Sequence, residues 1–335
     1  LSVAGGIWQF SVRRPLVEPA SLENMAYSLP DKPSIAILPF DNLSGDEKQD
    51  YISDGISENI IAALSKIEQL FVISRNSTFV YKGSAVKVRQ IAEDLGVRYV
   101  LEGSVQKSDN IIRVTAQLID AVSGYHIWSE TYDKEIKDFF QLLDEITHRI
   151  VIALQVKLTH GELVLRTLGT TNLEAWGYTV KGISLFERRI EEDNKRARDF
   201  FEQALKVDPD NAFAWLLLAW THYIDGRMGW TKNPSDSLKL AVELVEKAQT
   251  IDDSLSGYHT FWGTIYQLQK QYDKAIIEGQ KAIESAPNNA WDHVHFAQIL
   301  FFAGKYHDAI SYAEQATRIS PYPPAWYWNI LGLCY

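Results

Sequence analysis

The sequence predicts two folds in tandem: an α/β (or α+β) mixed-sheet domain, then an all-α superhelix of helix pairs. Two observations carry this. Residues 33–160 alternate short apolar runs with amphipathic stretches and then give paired strands. Further along, the chain repeats itself every 34 residues: Tyr272, Ala275, Ala282 and Pro287 recur as Tyr306, Ala309, Ala316 and Pro321, and Gly263 recurs as Ala297. Small residues at fixed places let the two helices of one unit approach closely. A proline after the second helix ends it, so that the next unit can begin.

Within the first domain, residues 34–40 (SIAILPF) form an apolar run closed by Pro39, which reads as a buried strand. Residues 41–47 hold Asn, Gly and Asp and read as a loop. From 50 to 67, Ile52, Ile56, Ile60, Ala63, Leu64 and Ile67 recur at intervals of three and four and make one face of a helix. Residues 70–73 (LFVI) read as a second strand, and 88–95 as a helix stopped by Gly96. Residues 98–105 and 111–119 pair as a hairpin through a turn at 107–110, with Val114, Ala116 and Leu118 alternating against Arg113, Thr115 and Gln117. Another strand at 126–131 and a long amphipathic helix over 138–158 complete a sheet covered by helices.

Residues 169–172 (GTTN) are a polar break, and the helical array is assigned to 172–335. Tyr178, Gly182, Ala197, Ala204 and Pro209 outline one unit; Trp215, Leu218, Ala219, Ala241 and Ala248 outline the next, with an inserted loop at 225–236. The array is about four repeats and the start of a fifth at residues 326–335, enough units for stable stacking. Residues 1–32 read as a leader. Residues 1–10 (LSVAGGIWQF) are apolar but shorter than the about 20 residues of a full span. They are either the end of a membrane helix or a flexible leader.

Composition narrows the function classes. The 335 residues have room for two or three domains, and 46% hydrophobic with 12% aromatic residues suits packed cores. A net charge of −10 argues against nucleic-acid binding, which needs a basic face. A single cysteine, Cys334, excludes an intramolecular disulfide.

The 34-residue register resembles tetratricopeptide repeats, closely in two units and loosely in the flanking ones. The segments PSIAILPFDNLSGDEKQDYISDGISENIIAAL (33–64), FVISRNSTFVYKG (71–83), IAEDLGVRYVLEGSVQ (91–106) and TAQLIDAVSGYHIWSETYD (115–133) resemble the TolB amino-terminal-like domain. That resemblance implies a pair of domains found in bacterial signalling proteins, commonly behind a membrane helix. A class III adenylate/guanylate cyclase domain often precedes them, and sometimes a winged-helix or kinase domain. None of these effectors is in the sequence, so the resemblance implies a regulatory or scaffolding part.

The motifs of chemistry are missing. No strand is followed by G-x-G-x-x-G, and there is no G-x-x-x-x-G-K-[ST] loop or H-E-x-x-H pair. His293 and His295 point to different faces of a repeat helix and read as packing or solvent-facing groups. Asp41, Asp46, Asp50, Asp54 and Glu58 form an acidic stretch, better explained by capping and by the helix dipole than by a cation. The glycosylation sequons at Asn42 and Asn76 are short enough to arise by chance. No catalytic residue, cofactor or metal is therefore expected.

The repeat register puts Phe213, Leu216, Trp220, Tyr223, Trp291, Val294, Gln298 and Phe301 at inner-face positions. An aromatic stripe on a concave wall would favour an apolar peptide or helix, although most aromatics in such arrays belong to the core. The resulting expectation is a non-catalytic protein–protein interaction and sensory module of a bacterial signalling protein associated with a cyclase. Its anchor would be upstream of, or include, residues 1–12, and it would be the soluble part of a single-pass inner-membrane protein, facing the periplasm. Self-association remains open. The alternative is a small-molecule-binding α/β domain whose repeats serve assembly.

Overall fold

A computed structural model describes residues 17–156 and 169–334; the expected anchor segment lies outside the described residues. The first domain is one mixed sheet. β1 (Ser34–Ile37) pairs in parallel with β3 (Phe71–Val72) and with β4 (Tyr99–Ser108), and the short β2 (Asp41–Asn42) also runs parallel to β4. β4, β5 (Ile111–Asp120) and β6 (Tyr125–Glu135) form an antiparallel meander, giving the order β3-β1-β4-β5-β6. The register shift between Leu118 and Ile119 skips Ile127 of β6, a bulge in the edge strand that discourages edge-to-edge pairing.

Strand alternation sends side chains to two cores. Ile35, Ile37, Leu101, Val114, Ala116 and Leu118 meet α1 (Asp50–Leu64) and α4 (Phe139–Ala153) on one face. Ala36, Val100 and Ile119 meet α3 (Val88–Leu95) on the other. Gly96 closes α3 in the left-handed conformation at φ 61°, where a β-carbon would clash. The sequence does not signal α2 (Arg75–Phe79), which is too short to show a period. Residues 17–32 do not hang free. Ala20 N donates to Ala121 O at 2.7 Å, and Ser21 N to the Glu93 carboxylate at 2.8 Å.

The array consists of α5 (Leu173–Phe186), α6 (Glu191–Val207), α7 (Ala212–Met228), α8 (Pro234–Ile251), α9 (Gly257–Leu268), α10 (Tyr272–Ser285), α11 (Ala290–Phe302), α12 (Tyr306–Ile319) and α13 (Ala325–Cys334). Asn172, Asn211 and Asn289 cap α5, α7 and α11 by accepting first-turn amide hydrogens. Each turn inside a pair needs one left-handed residue, and Arg189, Gly229, Lys270 and Gly304 fill that place. The loop expected over 225–236 is shorter, because Asp225 stays inside α7. It is buried and accepts hydrogen bonds from Asn194 and Arg198. Ala275 and Ala309 are fully buried where paired helices approach.

The array closes back onto the first domain. Trp176 of α5 lies where a β-carbon on Gly55 of α1 would come within 2.5 Å, and Tyr51 of α1 lies 2.6 Å from the corresponding position on Gly177. Each glycine is the hole for the other helix's aromatic knob. Further round, Asn288 Nδ2 donates to Ile67 O at 3.0 Å. Arg318 donates to the carbonyls of Leu95 and Gly96 and stacks 4.5 Å over Phe71. Ser74 N reaches Ile319 O at 2.9 Å, and Tyr322 N reaches Ser77 Oγ at 2.8 Å.

Substitutions at two kinds of contact test this packing. Gly55→Leu should destabilise the protein by at least about 1–3 kcal/mol, because Trp176 is fully buried and cannot swing aside. Ala275→Leu or Ala309→Leu should cost a similar amount. Urea midpoints measure both; unchanged midpoints would show that the helices do not approach at these positions.

Candidate functional site

The inner-face residues divide into two groups. Leu216, Trp220, Tyr223 and Val294 are buried, at 2%, 4%, 6% and 0% exposure, which corrects the expectation that they line an open wall. Phe213, Trp291, Gln298 and Phe301 are half-buried. The reason is the tightness of the superhelix. Trp291 of α11 lies 5.8 Å from Phe186 of α5, 5.5 Å from Trp220 of α7 and 5.1 Å from Trp326 of α13 between ring centres. The inner rings thus pack on one another along the axis as an aromatic axle.

Arg189 stacks on this axle. Its guanidinium lies 4.6 Å from the Phe186 and Trp291 rings and 4.8 Å from Trp326. Its Nε and one terminal nitrogen are shielded from solvent with no hydrogen-bond partner among the described residues, and burial lowers its pKa to about 10. Three aromatic faces offset the desolvation of that charge. His295 donates to Trp291 O at 2.8 Å and is pushed by burial to about 3, while His293 donates to Pro287 O at 2.9 Å. Both are neutral packing groups, and neither belongs to a metal set.

Between the axle and the first domain lies a cavity of about 260 Å³. The end of α1 and the start of α2 form one wall; the starts of α9 and α11, with Glu187, Phe213 and Tyr327, form the other. Arg75 spans it. Its Nε lies 3.2 Å from Glu58 of α1, and one terminal nitrogen donates to Glu187 of the array at 3.0 Å. Burial raises the Glu58 carboxyl to about 7, the Arg75 charge opposing the shift and the Glu187 and Asp54 charges adding to it. Sequence reasoning placed Glu58 in a capping stretch and missed Arg75 and Glu187 as site residues. No spacing links positions 58, 75 and 187: α1 and α2 bring Glu58 to Arg75 within the first domain, and the docking of the array adds Glu187.

The rest of the acidic stretch caps and pairs. Asp46 accepts from Lys48 N at 3.0 Å, Asn42 donates to Asp50 at 2.7 Å, and Lys82 holds Asp54 at 2.7 Å. Among the described residues no group of three or more His, Cys, Asp or Glu is placed to hold a metal.

These features define an array of helix pairs folded against a mixed-sheet domain. Models of the tetratricopeptide repeat match residues 191–229 and 293–323, and the chain carries these repeats. A model described as the second domain of HilA/YgeH-like transcriptional regulators matches residues 31–149. The chain is 40% identical over 271 residues, 80% of its length, to a protein of Rhizobium meliloti (strain 1021) named "Putative adenylate cyclase 3", and spans 46% of that relative. Among solved structures, TolB from Acinetobacter baumannii is 20% identical with a TM-score of 0.29, covering 39% of this chain and 30% of its own. A thermophilic tetratricopeptide protein of Thermus thermophilus is 13% identical with a TM-score of 0.37, covering 59% of this chain and 90% of its own.

The Glu58 carboxyl makes a pH prediction. The folded protein holds a proton up to about pH 7 that the unfolded chain gives up near pH 4.5. The stability from this group is therefore full at low pH and is lost as pH rises to 7. Glu58→Gln, which is neutral throughout, should gain on the wild type across that window by up to about 3 kcal/mol and level off above it. Urea unfolding at pH 5 and pH 8 measures the difference; a gap independent of pH would place the carboxyl in water.

Proposed function

We propose that this chain is the interaction and sensing part of a bacterial signalling protein that works beside an adenylate cyclase domain, and that it is not itself catalytic. The observation that carries this reading is the 40% identity over 271 residues to the Rhizobium meliloti protein. The architecture supports it. Repeat arrays are built as extended binding surfaces, and this one is joined to the first domain through Trp176, Arg75 and Arg318, so a partner on the array would act on the sheet domain as well. Phe213, Trp291, Gln298 and Phe301 keep part of the inner face accessible to a protein or peptide. In this reading the anchor is a membrane segment upstream of, or including, residues 1–12, with the module on the periplasmic side. Among the described residues no helix is long and apolar enough to cross a membrane.

The test has two halves. Given ATP with Mg²⁺ or Mn²⁺, the isolated chain should form no cyclic AMP. When the chain replaces the matching region of the Rhizobium meliloti relative, the cyclase rate should differ from that of the catalytic part alone. Cyclic AMP from the isolated chain, or a chimera indistinguishable from the bare catalytic part, would overturn the reading.

A further inference from the structure

We infer that the cavity between the first domain and the array is a binding site for an organic cation, a primary ammonium or guanidinium group carried on an apolar body. The site stands whether or not the chain serves a cyclase.

Charge decides the sign of the ligand. Glu58 and Glu187 approach the same guanidinium from opposite walls, at 3.2 and 3.0 Å. Above about pH 7, where Glu58 is ionised, these two carboxylates bond to one guanidinium at a largely buried place. Lys66 also lines the cavity, and its charge faces Asp252 on the array side. Arg189 acts on Glu187 through its charge but is stacked on the axle, outside the lining, and its Nε and one terminal nitrogen bond to neither carboxylate. A buried negative charge is costly until a cation joins it, and an entering ammonium would complete the pairing.

Shape and surface decide the body of the ligand. Phe213, Trp291 and Tyr327 supply aromatic walls, and Ile61 and Leu255 add aliphatic ones. Aromatic faces attract a cation as well as apolar groups, and a space of about 260 Å³ suits a small molecule or one basic side chain. Both domains supply the lining, so an occupant would bind better to the docked arrangement than to a separated one. Free amines and the lysine or arginine of a partner protein share this chemistry.

The experiment uses the full chain and calorimetry with four probes: 2-phenylethylamine, its neutral counterpart 2-phenylethanol, and blocked tripeptides Gly-Lys-Gly and Gly-Arg-Gly. At least one cationic probe should bind saturably, and 2-phenylethanol at least tenfold more weakly than the amine. Glu58→Gln and Glu187→Gln should each weaken cation binding by tenfold or more. Binding should also be about tenfold weaker at pH 6 than at pH 8, because Glu58, which faces Arg75, Glu187 and Asp54, must release its proton near pH 7. Tighter binding of a tripeptide identifies a partner's basic side chain as the source, and tighter binding of 2-phenylethylamine a free amine. No binding by any cationic probe, equal binding of the alcohol, or unchanged affinity in both folded variants overturns the site. If a variant fails to fold, the alcohol control and the pH series on the wild type decide in the same way.

Discussion

The structure depends on a reciprocal contact between two helices. α1 offers Gly55 to Trp176 and α5 offers Gly177 to Tyr51, so each helix is both knob and hole. Trp176 is completely buried and joins Phe139 of α4 at 4.9 Å between ring centres, which makes it part of the first domain's core although it belongs to the array. Removing a buried Trp side chain typically costs about 3–5 kcal/mol. One contact of that size at the start of the array fixes the direction in which every later helix pair stacks.

The second consequence is the closed curve of the array. From that start the superhelix turns tightly enough for α5 and α13 both to reach Trp291. Its far end then lands on β3, α2 and α3, where Arg318 and the 319–322 segment bond to backbone carbonyls, a backbone amide and a serine hydroxyl. The inner positions consequently serve two ends. Rings at the axle, such as Trp220, give cohesion, while Phe213 and Trp291 sit at the edge of the cavity. A register read along one helix cannot separate the two, because the difference lies in how far the array turns.

Legibility follows the range of the interaction. The period of 34 residues, the spacing of α1 and the glycine stop of α3 are local or repeated signals, and the matching elements are present in the fold. Glu58→Gln is informative for the opposite reason: its environment is set by Arg75 and Glu187, of which the latter is 129 residues away and reaches it only across the domain interface. Nothing local in the sequence singles out Trp176 either, because what defines its place is Gly55 on a helix of the other domain. The α2 helix has five residues, fewer than two turns, so no periodicity can form.

This geometry restricts how a signal can pass through the molecule. Near the end of α1 the concave side of the array is already occupied by the first domain, with Asn288 and Arg75 bonded across the gap. A partner that needs the whole inner face must therefore displace the clasp at Gly55 and the contacts of Arg318, and loses affinity by the free energy of that opening. A ligand in the cavity faces no such cost, since it touches both walls as they stand. The two kinds of occupant consequently push in opposite directions, one opening the array and one holding it closed. Their binding is negatively coupled by thermodynamic necessity if they compete for the two arrangements. A molecule built in this way would convert the loss of a small cation into the availability of a protein-binding face.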